Sequence, residues 1–348
     1  MNILAIETSF DETAAAIVKD GKTILANVTA TSNLLHRKYG GVVPEVAARK
    51  QVESMIPVLI EVLQGMTSND VDALAVTVGP GLIGSLLIGV ETVKTLALAW
   101  NKPIIPVNHV LAHMYSNFVL PAQSKFQISN SKFQIKFPAI SLVVSGGHTE
   151  LYLMTDAKTL KWLGGTLDDA AGEAFDKSAR LLGFENKGGA AIEAAAAKFQ
   201  ISNFKFQIKL PRPMLHDKTL NFSFSGLKTA LLREVKKLKA EQQFDNTAIQ
   251  QLSFEVQEAI ADVLVIKTLR AAEQFNAKSI LLSGGVAANK RLREKFNLPL
   301  TAYRLPLFAP QRELCTDNAI MIAACAYFLN KQIPWQEITA QPNLTVEI

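Results

Sequence analysis

Four short apolar segments, each followed directly by a polar or glycine-rich turn, strongly limit what this chain can fold into. They occupy residues 2–6, 73–78, 139–145 and 279–283. A continuous apolar run of this length, bounded by turn residues, is typical of a strand that is buried on both faces of a sheet. Amphipathic helical segments lie between these runs. Strands that alternate with helices predict the α/β class.

The same arrangement of strand, turn and second strand begins twice along the chain, which predicts two related units. The first unit is expected to contain a hairpin at 14–18 and 24–29, a short strand at 104–106, and helices at 44–63, up to about 100, and at 109–118. The second is expected to contain a strand at 150–155 and helices at 170–183, 219–239 and 246–276. Two such units facing each other across a cleft form a known nucleotide-binding architecture, in which functional residues lie on the turns.

Composition excludes several classes of protein. Hydrophobic residues make up 49% of the chain and charged residues 19%, which excludes an intrinsically disordered protein. Two cysteines are too few for a disulfide framework and predict a reducing compartment. The N-terminus lacks the features of a signal peptide, and the most apolar stretch, residues 82–90, is too short to span a bilayer. We therefore expect a soluble cytoplasmic protein without a membrane partner.

Two nearly identical segments stand apart from this pattern. Residues 125–137 and 198–210 agree at eleven of thirteen positions, and each repeats KFQI around a Ser-Asn turn. The alternation predicts amphipathic hairpins, either as duplicated insertions in surface loops or as basic arms that grip nucleic acid. Together they carry six lysines and no acidic residue, so the net charge of +5 falls to −1 without them. The positive net charge of the chain therefore comes from these two segments, and it is weak evidence for nucleic-acid binding.

A pair of histidines is the first candidate for chemistry. His109 and His113 are four residues apart, so on a helix both imidazoles lie on one face and can reach one metal ion. A bare pair with this spacing is more often structural, and Val110 stands where a metalloprotease would need a glutamate. Asp317 is a possible third ligand, completing a facial triad that suits iron(II), with zinc as the alternative. Taken alone, Asp317 could instead cap the helix predicted at 319–329.

Glycine turns and nearby carboxylates are the second candidate. The turn Ser145-Gly-Gly exposes backbone amides and a hydroxyl that can approach a phosphate, and residues 283–289 repeat the motif. Asp176 could bind ribose hydroxyls, and Glu193 could close the same pocket. The polar turn at residues 7–13 is either a phosphate or metal-water contact or an ordinary hairpin turn. No role follows from the sequence for residues 222–229.

Taken in order, these motifs resemble one family. IETSFDET, GGVVPE, GPGL, HVLAH, VSGGHT, DDAAGEAFDK, PRP, FSFSGLKTA, SGGVAAN and CTDNAIMIA follow one another along the chain. Their order and spacing resemble the tRNA N6-adenosine threonylcarbamoyltransferase family, the TsaD type, in its bacterial branch. The resemblance covers the whole chain except the two KFQI segments. It implies an actin-like (sugar kinase/Hsp70-type) two-lobed ATPase fold with two duplicated RNase H-like subdomains.

The resemblance also implies an activity and a set of site residues. The family transfers threonylcarbamoyl from threonylcarbamoyl-adenylate to N6 of adenosine 37, in tRNAs that read codons starting with A, and releases AMP. By motif, the ligands of one divalent metal per subunit, usually iron(II) with zinc as the alternative, are His109, His113 and Asp317. The positions matching the adenylate contacts are Val143, Val144, Ser145, Gly146, Gly147, Asp176, Gly189, Glu193 and Asn289. Asp11 and Glu12 match an acidic pair near the reacting centre.

The resemblance also implies partners and domain boundaries, and the chain departs from the family pattern at several positions. The partners are tRNA, a TsaB-like paralogue of the same fold and a TsaE-like P-loop ATPase. The expected domains are a first lobe at 1–118, an insertion at 119–137, a second lobe at 138–316 containing the insertion at 198–210, and a returning C-terminal helix and tail at 317–348. Departures from the family pattern are Phe10 for cysteine, Asn108 and Ala112 for histidine and glycine, and Lys187 and Ala190 for prolines. Two alternatives stay open: a small-molecule kinase of the actin-like fold and a non-catalytic scaffold.

Overall fold

The chain forms two compact units in a computed structural model. The structure describes residues 1–32, 42–119, 134–184, 188–199, 208–303 and 305–346. One unit comprises Met1–Gln134 and Pro310–Ile348, and the other comprises Ile135–Ala309. Residues 125–133 and 200–207, where the two KFQI hairpins were predicted, lie outside the described residues, and the predicted domain boundaries stay a prediction.

The first unit is built on a five-stranded mixed sheet. Its strands are β1 (Asn2–Glu7), β2 (Glu12–Lys19), β3 (Thr23–Thr31), β4 (Ala73–Gly79) and β5 (Ile104–Asn108). Its helices are α1 (Pro44–Val62), α2 (Ile83–Trp100), α3 (His109–Tyr115) and, after the second unit, α9 (Ala319–Leu329). The strand order is β3-β2-β1-β4-β5, with β1, β2 and β3 antiparallel and β4 and β5 parallel to β1. The predicted hairpin after the first strand is therefore confirmed.

Burial follows the sequence pattern of each strand. The central strands β1 and β4 are mostly apolar and are buried on both faces, whereas residues of the edge strand β3 alternate between exposed and half-buried. One buried polar residue organises the turn between β1 and β2. The Gln51 side-chain amide donates to the carbonyl oxygens of Phe10 and Glu12, at 3.1 and 2.8 Å. Helix α1 thus holds the polar turn between β1 and β2 in place.

Helix α2 is the one helix within the described ranges that is long and apolar enough to cross a membrane. Leu86, Val90 and Val93 lie on one face of it and are fully buried in the core of the first unit. The core also contains side chains of β1, β4 and α1. This one-sided burial is typical of a core helix in a globular α/β unit.

The second unit repeats the sheet of the first. Its strands are β6 (Ala139–Val144), β7 (Thr149–Met154), β8 (Leu160–Gly165), β9 (Ser279–Ser283) and β10 (Leu307–Phe308). Its helices are α4 (Ala171–Leu181), α5 (Gly188–Ala196), α6 (Ser225–Ala240), α7 (Asn246–Gln274) and α8 (Lys290–Tyr303). The order β10-β9-β6-β7-β8 has the same strand directions as the first sheet, with one antiparallel meander followed by two parallel strands. The predicted duplicated α/β fold is confirmed.

Some predicted elements were wrong or missing. Residues 219–224, predicted as helix, are not helical: residues 219–220 form a bend, and Phe222 forms an isolated bridge with Thr166 just after β8. Strand β8 and helices α5 and α8 were not predicted. The sequence of α5, GGAAIEAAA, begins with two glycines and lacks the apolar periodicity that marks a surface helix.

Candidate metal centre and nucleotide cavity

The candidate metal centre of the first unit begins where β5 ends. His109 is the first residue of α3, and Asn108 before it is the N-cap. The Asn108 side-chain oxygen accepts hydrogen bonds from the backbone amides of Val110 and Leu111, at 2.9 and 3.2 Å. The asparagine that departs from the family pattern therefore supplies the cap that starts the histidine helix.

Three ligand atoms converge in this unit. The nearest oxygen of Asp317 lies 3.5 Å from Nε2 of His109 and 3.4 Å from Nε2 of His113. One ligand atom from each residue lies within 4.8 Å of the others, a spacing that can hold a single metal ion. His109 and His113 are buried, and Asp317 is 24% exposed. The structure therefore places the two histidines and Asp317 close together, and metal binding by them stays a prediction.

The state of His113 supports a metal site. Its side chain is 1% exposed, and neither ring nitrogen has a hydrogen-bond partner among the described residues. Burying an imidazole without a hydrogen bond to either nitrogen has a free-energy cost, because no hydrogen bond compensates for the lost contacts with water. A metal bound to Nε2 would remove that cost. The donor set of two imidazoles and one carboxylate therefore fits a divalent metal.

The alternative role for Asp317, as a helix cap, is wrong. Asn318 is the N-cap of α9, and its side-chain oxygen accepts from the backbone amide of Met321 at 3.0 Å. Asp317, one residue earlier, is left to face the histidines. Of these two adjacent residues, Asn318 caps the helix and Asp317 faces the histidines.

Residues from the end of β1 position His109. Ser9 Oγ lies 3.1 Å and Glu7 Oε2 lies 3.4 Å from Nδ1 of His109, and Thr77 donates a hydrogen bond to Glu7. A partner on the far nitrogen fixes the ring so that Nε2 points toward the ligand position. Burial alone would lower the pKa of His109, but the carboxylates of Asp317 and Glu7 outweigh it and raise the pKa to about 9. The sequence indicated this turn as a whole and did not single out Glu7 and Ser9.

The acidic pair Asp11 and Glu12 lies at the start of β2 in the same unit. Asp11 is buried, Glu12 is half-buried, and Thr31 donates a hydrogen bond to Glu12 at 3.0 Å. Burial and the neighbouring charges of Asp11 and Asp317 raise the pKa of Glu12 to about 7. A carboxyl group with that pKa can exchange protons near neutral pH.

Replacing Glu12 by glutamine is expected to stabilise the metal-free protein at alkaline pH. Because the folded-state pKa of Glu12 is raised, the folded protein binds a proton more readily than the unfolded chain, and its stability falls as pH rises from about 5 to about 8. With allowance for partial exposure, Glu12→Gln should gain about 1 kcal/mol at pH 8 and almost nothing at pH 5. Thermal melts of the chelator-treated proteins measure this difference. An equal gain at both pH values would contradict it.

A cavity of about 250 Å³ lies within the second unit. Its wall includes the residues Gly146, Gly172, Phe175, Asp176, Gly189, Ala190, Glu193, Gly285, Val286, Ala288 and Asn289. The Asp176 carboxylate is solvent-accessible at this wall. Partial desolvation by the surrounding protein raises the pKa of Asp176. The charge of Arg180 and a hydrogen bond from the Gly189 amide act in the opposite direction but do not outweigh it. A carboxylate beside glycine-rich turns can bind hydroxyl groups next to a phosphate-binding turn.

Five of the nine residues predicted to hold the adenylate line this cavity, namely Gly146, Asp176, Gly189, Glu193 and Asn289. Ser145 and Gly147 belong to the adjoining turn, in which the His148 amide donates to the Ser145 hydroxyl at 3.1 Å. Val143 and Val144 lie in β6 with fully buried side chains. They can reach a ligand only through backbone groups.

Close backbone contacts shape the cavity. Gly284 has φ +87°, and a Cβ there would lie 2.3 Å from the Val144 carbonyl oxygen, so no other residue fits without displacement. Glu193 accepts a hydrogen bond from the Lys290 amide at 2.8 Å, which joins α5 to the start of α8. Asn289 donates to Gln257 at 3.0 Å. These side chains therefore hold the cavity wall together as well as lining it.

The segment 222–230, which the sequence left without a role, starts α6. The Asp168 carboxylate accepts hydrogen bonds from the hydroxyls of Ser223 and Ser225, at 2.5 and 2.7 Å, and from the Phe224 amide at 2.7 Å. Lys228 pairs with Asp169 at 3.3 Å. The motif thus anchors the start of α6 to the loop before α4. The helix predicted at 219–239 therefore begins at Ser225, later than predicted.

Sequence comparisons with known proteins indicate the same family as the motifs. A family model described as TsaD, tRNA N6-adenosine threonylcarbamoyltransferase, matches residues 23–324. Proteins with that name in Moorella thermoacetica and Bacillus subtilis are 47% and 44% identical to this chain. The alignments cover 99% of this chain in both cases, and 96% and 98% of the respective relatives.

Solved structures share the fold at low sequence identity. Full-length HypF in a phosphate- and nucleotide-bound form aligns with a TM-score of 0.58 and 14% identity, over 95% of this chain and 56% of HypF. HypF of T. kodakarensis aligns with a TM-score of 0.55 and 14% identity, over 94% of this chain and 47% of that protein. Together with the duplicated sheets, these matches confirm the predicted actin-like α/β fold. On the family model and on relatives matched over nearly their full length, the chain belongs to the tRNA N6-adenosine threonylcarbamoyltransferase family.

Proposed function

We propose that this protein transfers the threonylcarbamoyl group from threonylcarbamoyl-adenylate to N6 of adenosine 37 in tRNAs that read codons starting with A, releasing AMP. The observation that carries the proposal is the buried cluster of His109, His113 and Asp317 in a chain of this family. A kinase of the same fold would have no use for that cluster. A non-catalytic scaffold would not need a buried His113 whose ring nitrogens have no hydrogen-bond partner among the described residues.

The reaction requires activation of the acyl carbonyl. The exocyclic amine of adenine is a weak nucleophile, because its lone pair is delocalised into the ring. A divalent metal held by His109, His113 and Asp317 would supply the Lewis acidity that polarises such a carbonyl. Two imidazoles and one carboxylate are the ligands of facial-triad iron(II) sites, so we propose iron(II), with zinc as the alternative.

The remaining tasks fall to the protein's own side chains. In the second unit, the glycine turn at Gly146 and the carboxylate of Asp176 would bind the phosphate and ribose of the adenylate. In the first unit, Glu12 has a pKa suited to accept the proton that the amine loses. AMP is a good leaving group, so the reaction needs no strong general acid.

The test is formation of the modified nucleoside. The purified protein is incubated with tRNA, chemically prepared threonylcarbamoyl-adenylate, a TsaB-like paralogue and a TsaE-like ATPase, and the tRNA is digested for mass spectrometry. Threonylcarbamoyladenosine should appear only when the protein and the donor are both present. Its absence from the complete mixture, with folded and metal-loaded protein, would refute the proposed function.

Helix α1 of the first unit presents an exposed apolar face. Val52, Ile56 and Ile60 follow one another every fourth residue and are 62%, 60% and 69% exposed. Isolated exposed apolar residues are common, but three on one helical stripe form a patch of the kind that marks protein contacts. We propose that this face binds the TsaB-like paralogue.

Acidic substitutions on this face should abolish that contact. Ile56→Glu together with Ile60→Glu is expected to weaken binding of the paralogue more than about 100-fold, because two charges would be buried without partners. Leu25→Glu is the control, since Leu25 is 43% exposed on β3 of the same unit. Isothermal titration calorimetry gives both affinities. Equal binding by the double variant and the control would locate the contact elsewhere.

We also propose a cytoplasmic location. Cys315 and Cys325 are both buried and form no disulfide with each other, and burial raises the pKa of the Cys325 thiol, which keeps it unreactive. Buried thiols that are not joined in a disulfide are typical of proteins that work in a reducing compartment.

A further inference from the structure

Helix α6 of the second unit carries a concentration of positive charge that the proposed chemistry does not use. Its sequence, SGLKTALLREVKKLKA, contains five basic residues and one acidic residue. Arg233, Lys236 and Lys237 are all exposed. They lie three and four positions apart and so occupy one side of the helix, which we call the basic face of α6.

The charges of the basic face are not neutralised within the protein. Among the described residues, none of Arg233, Lys236 and Lys237 forms an ion pair with a carboxylate. Helix α8, which is also rich in basic residues, is different. Its Arg291 and Lys295 pair with Glu258 at 2.6 and 2.8 Å. The positive potential of α8 is therefore largely cancelled, whereas that of the basic face reaches into solvent.

The basic face continues into a groove between α4 and α6. The groove has a volume of about 310 Å³ and is lined by the residues Lys177, Arg180, Leu181, Lys228, Thr229 and Leu232. Thr229 and Leu232 lie on the same side of α6 as Arg233 and Lys236, by the three- and four-residue spacing of a helix. From Thr229 to Lys237 the helix rises about 12 Å. Within the groove, Lys177 and Lys228 pair with Asp169. Arg180 forms no ion pair with a described residue, so unpaired positive charge extends from Arg180 at the groove to the basic face of α6.

We propose that the basic face of α6 and its adjoining groove bind the phosphate backbone of the tRNA substrate. The proposal rests on the proposed function, which makes a tRNA the partner. A polyanion with regularly spaced phosphates matches a row of unpaired Arg and Lys side chains, and releases counterions when it binds them. The charge is also local, because the chain without its six KFQI lysines has a net charge of −1. An acidic protein partner would be expected to meet an apolar core within the patch, and Leu232 is the one large apolar side chain exposed along this row.

The test removes the three charges of the basic face and compares them with three charges removed elsewhere. The variant Arg233→Gln, Lys236→Gln, Lys237→Gln is matched to Lys158→Gln, Lys161→Gln, Lys278→Gln, whose residues are exposed in the same unit. Filter binding of unmodified tRNA to the full-length proteins is measured from 50 to 200 mM KCl. The logarithmic salt slope of the first variant should become shallower by about 2 to 3, at 0.7 to 0.9 per lost phosphate contact, with affinity at 100 mM lowered at least about 10-fold.

The outcomes separate the two proposals. A salt slope and affinity equal to those of the control variant would overturn the assignment of the basic face. So would loss of binding to anionic phospholipid vesicles with unchanged tRNA binding, which would assign the face to a membrane surface. If the wild-type protein formed no threonylcarbamoyladenosine, the proposed function would fall, and the salt-slope comparison would still decide the role of α6.

Discussion

Replacing His113 by alanine is expected to leave the protein without bound metal and to lower threonylcarbamoyl transfer more than about 100-fold. The substitution removes one of three ligands from a buried site, and partners of such ligands alone affect metal affinity by about 10- to 100-fold. The apo protein should lose only the packing of this buried ring, since within the described residues His113 makes no hydrogen bond through its ring. A thermal melt of the metal-free proteins measures that loss separately from the loss of metal.

The measurement is metal content by mass spectrometry after anaerobic purification, with transfer assayed on the same samples. Wild type should hold about one metal ion per chain and His113→Ala less than about one tenth. His216→Ala is the control, since His216 is exposed and belongs to the second unit. Full metal content and activity in His113→Ala would show that the histidine pair is structural.

Gly188→Ala should impair the nucleotide cavity of the second unit while leaving the metal content unchanged. A Cβ on Gly188 would lie 2.4 Å from the Cα atom and 2.1 Å from a carboxylate oxygen of Asp176. Because one of these contacts is with backbone, rotation of the side chain cannot relieve it, and α4 or α5 must shift. Displacement of Asp176 should lower affinity for the adenylate, or for AMP as a stable probe, at least about 10-fold.

The matched control is Gly226→Ala in α6, where the nearest heavy atom to a new Cβ is Pro213 Cγ at 3.8 Å. This control should bind the probe normally and gain some stability, because alanine favours a helix by up to about 1 kcal/mol over glycine. Calorimetric titration with AMP compares the three proteins. Wild-type affinity in Gly188→Ala would mean that the nucleotide binds somewhere other than this cavity.

Local patterns predicted the strands and the histidine pair well. Continuous apolar runs marked β1, β4, β6 and β9 because strands buried on both faces contain no polar alternation. The spacing of His109 and His113 was sufficient to place both on one face of a helix, since helical geometry depends on residues four apart. The adenylate contacts came from the family resemblance, and they stay predictions.

Features that depend on distant neighbours were missed. Nothing local marks Glu7 and Ser9 as partners of His109, which lies 100 residues further along the chain. The start of α6 was predicted too early because its true start depends on Asp168, more than fifty residues away. Asp317 and Asn318 could not be distinguished as cap and ligand by residue type, because both caps are favourable.

The amino-acid sequence by itself determined the duplicated α/β pattern, the helical face shared by two histidines and the family to which the chain belongs. These depend on periodicity and on motifs that lie within short stretches. Only the tertiary structure decided which carboxylate faces the histidines, which nitrogens of His113 stay unsatisfied and which basic side chains of α6 form no ion pair with the described residues. Burial and charge pairing arise between segments far apart in the chain, so their energies exist only once those segments have packed together.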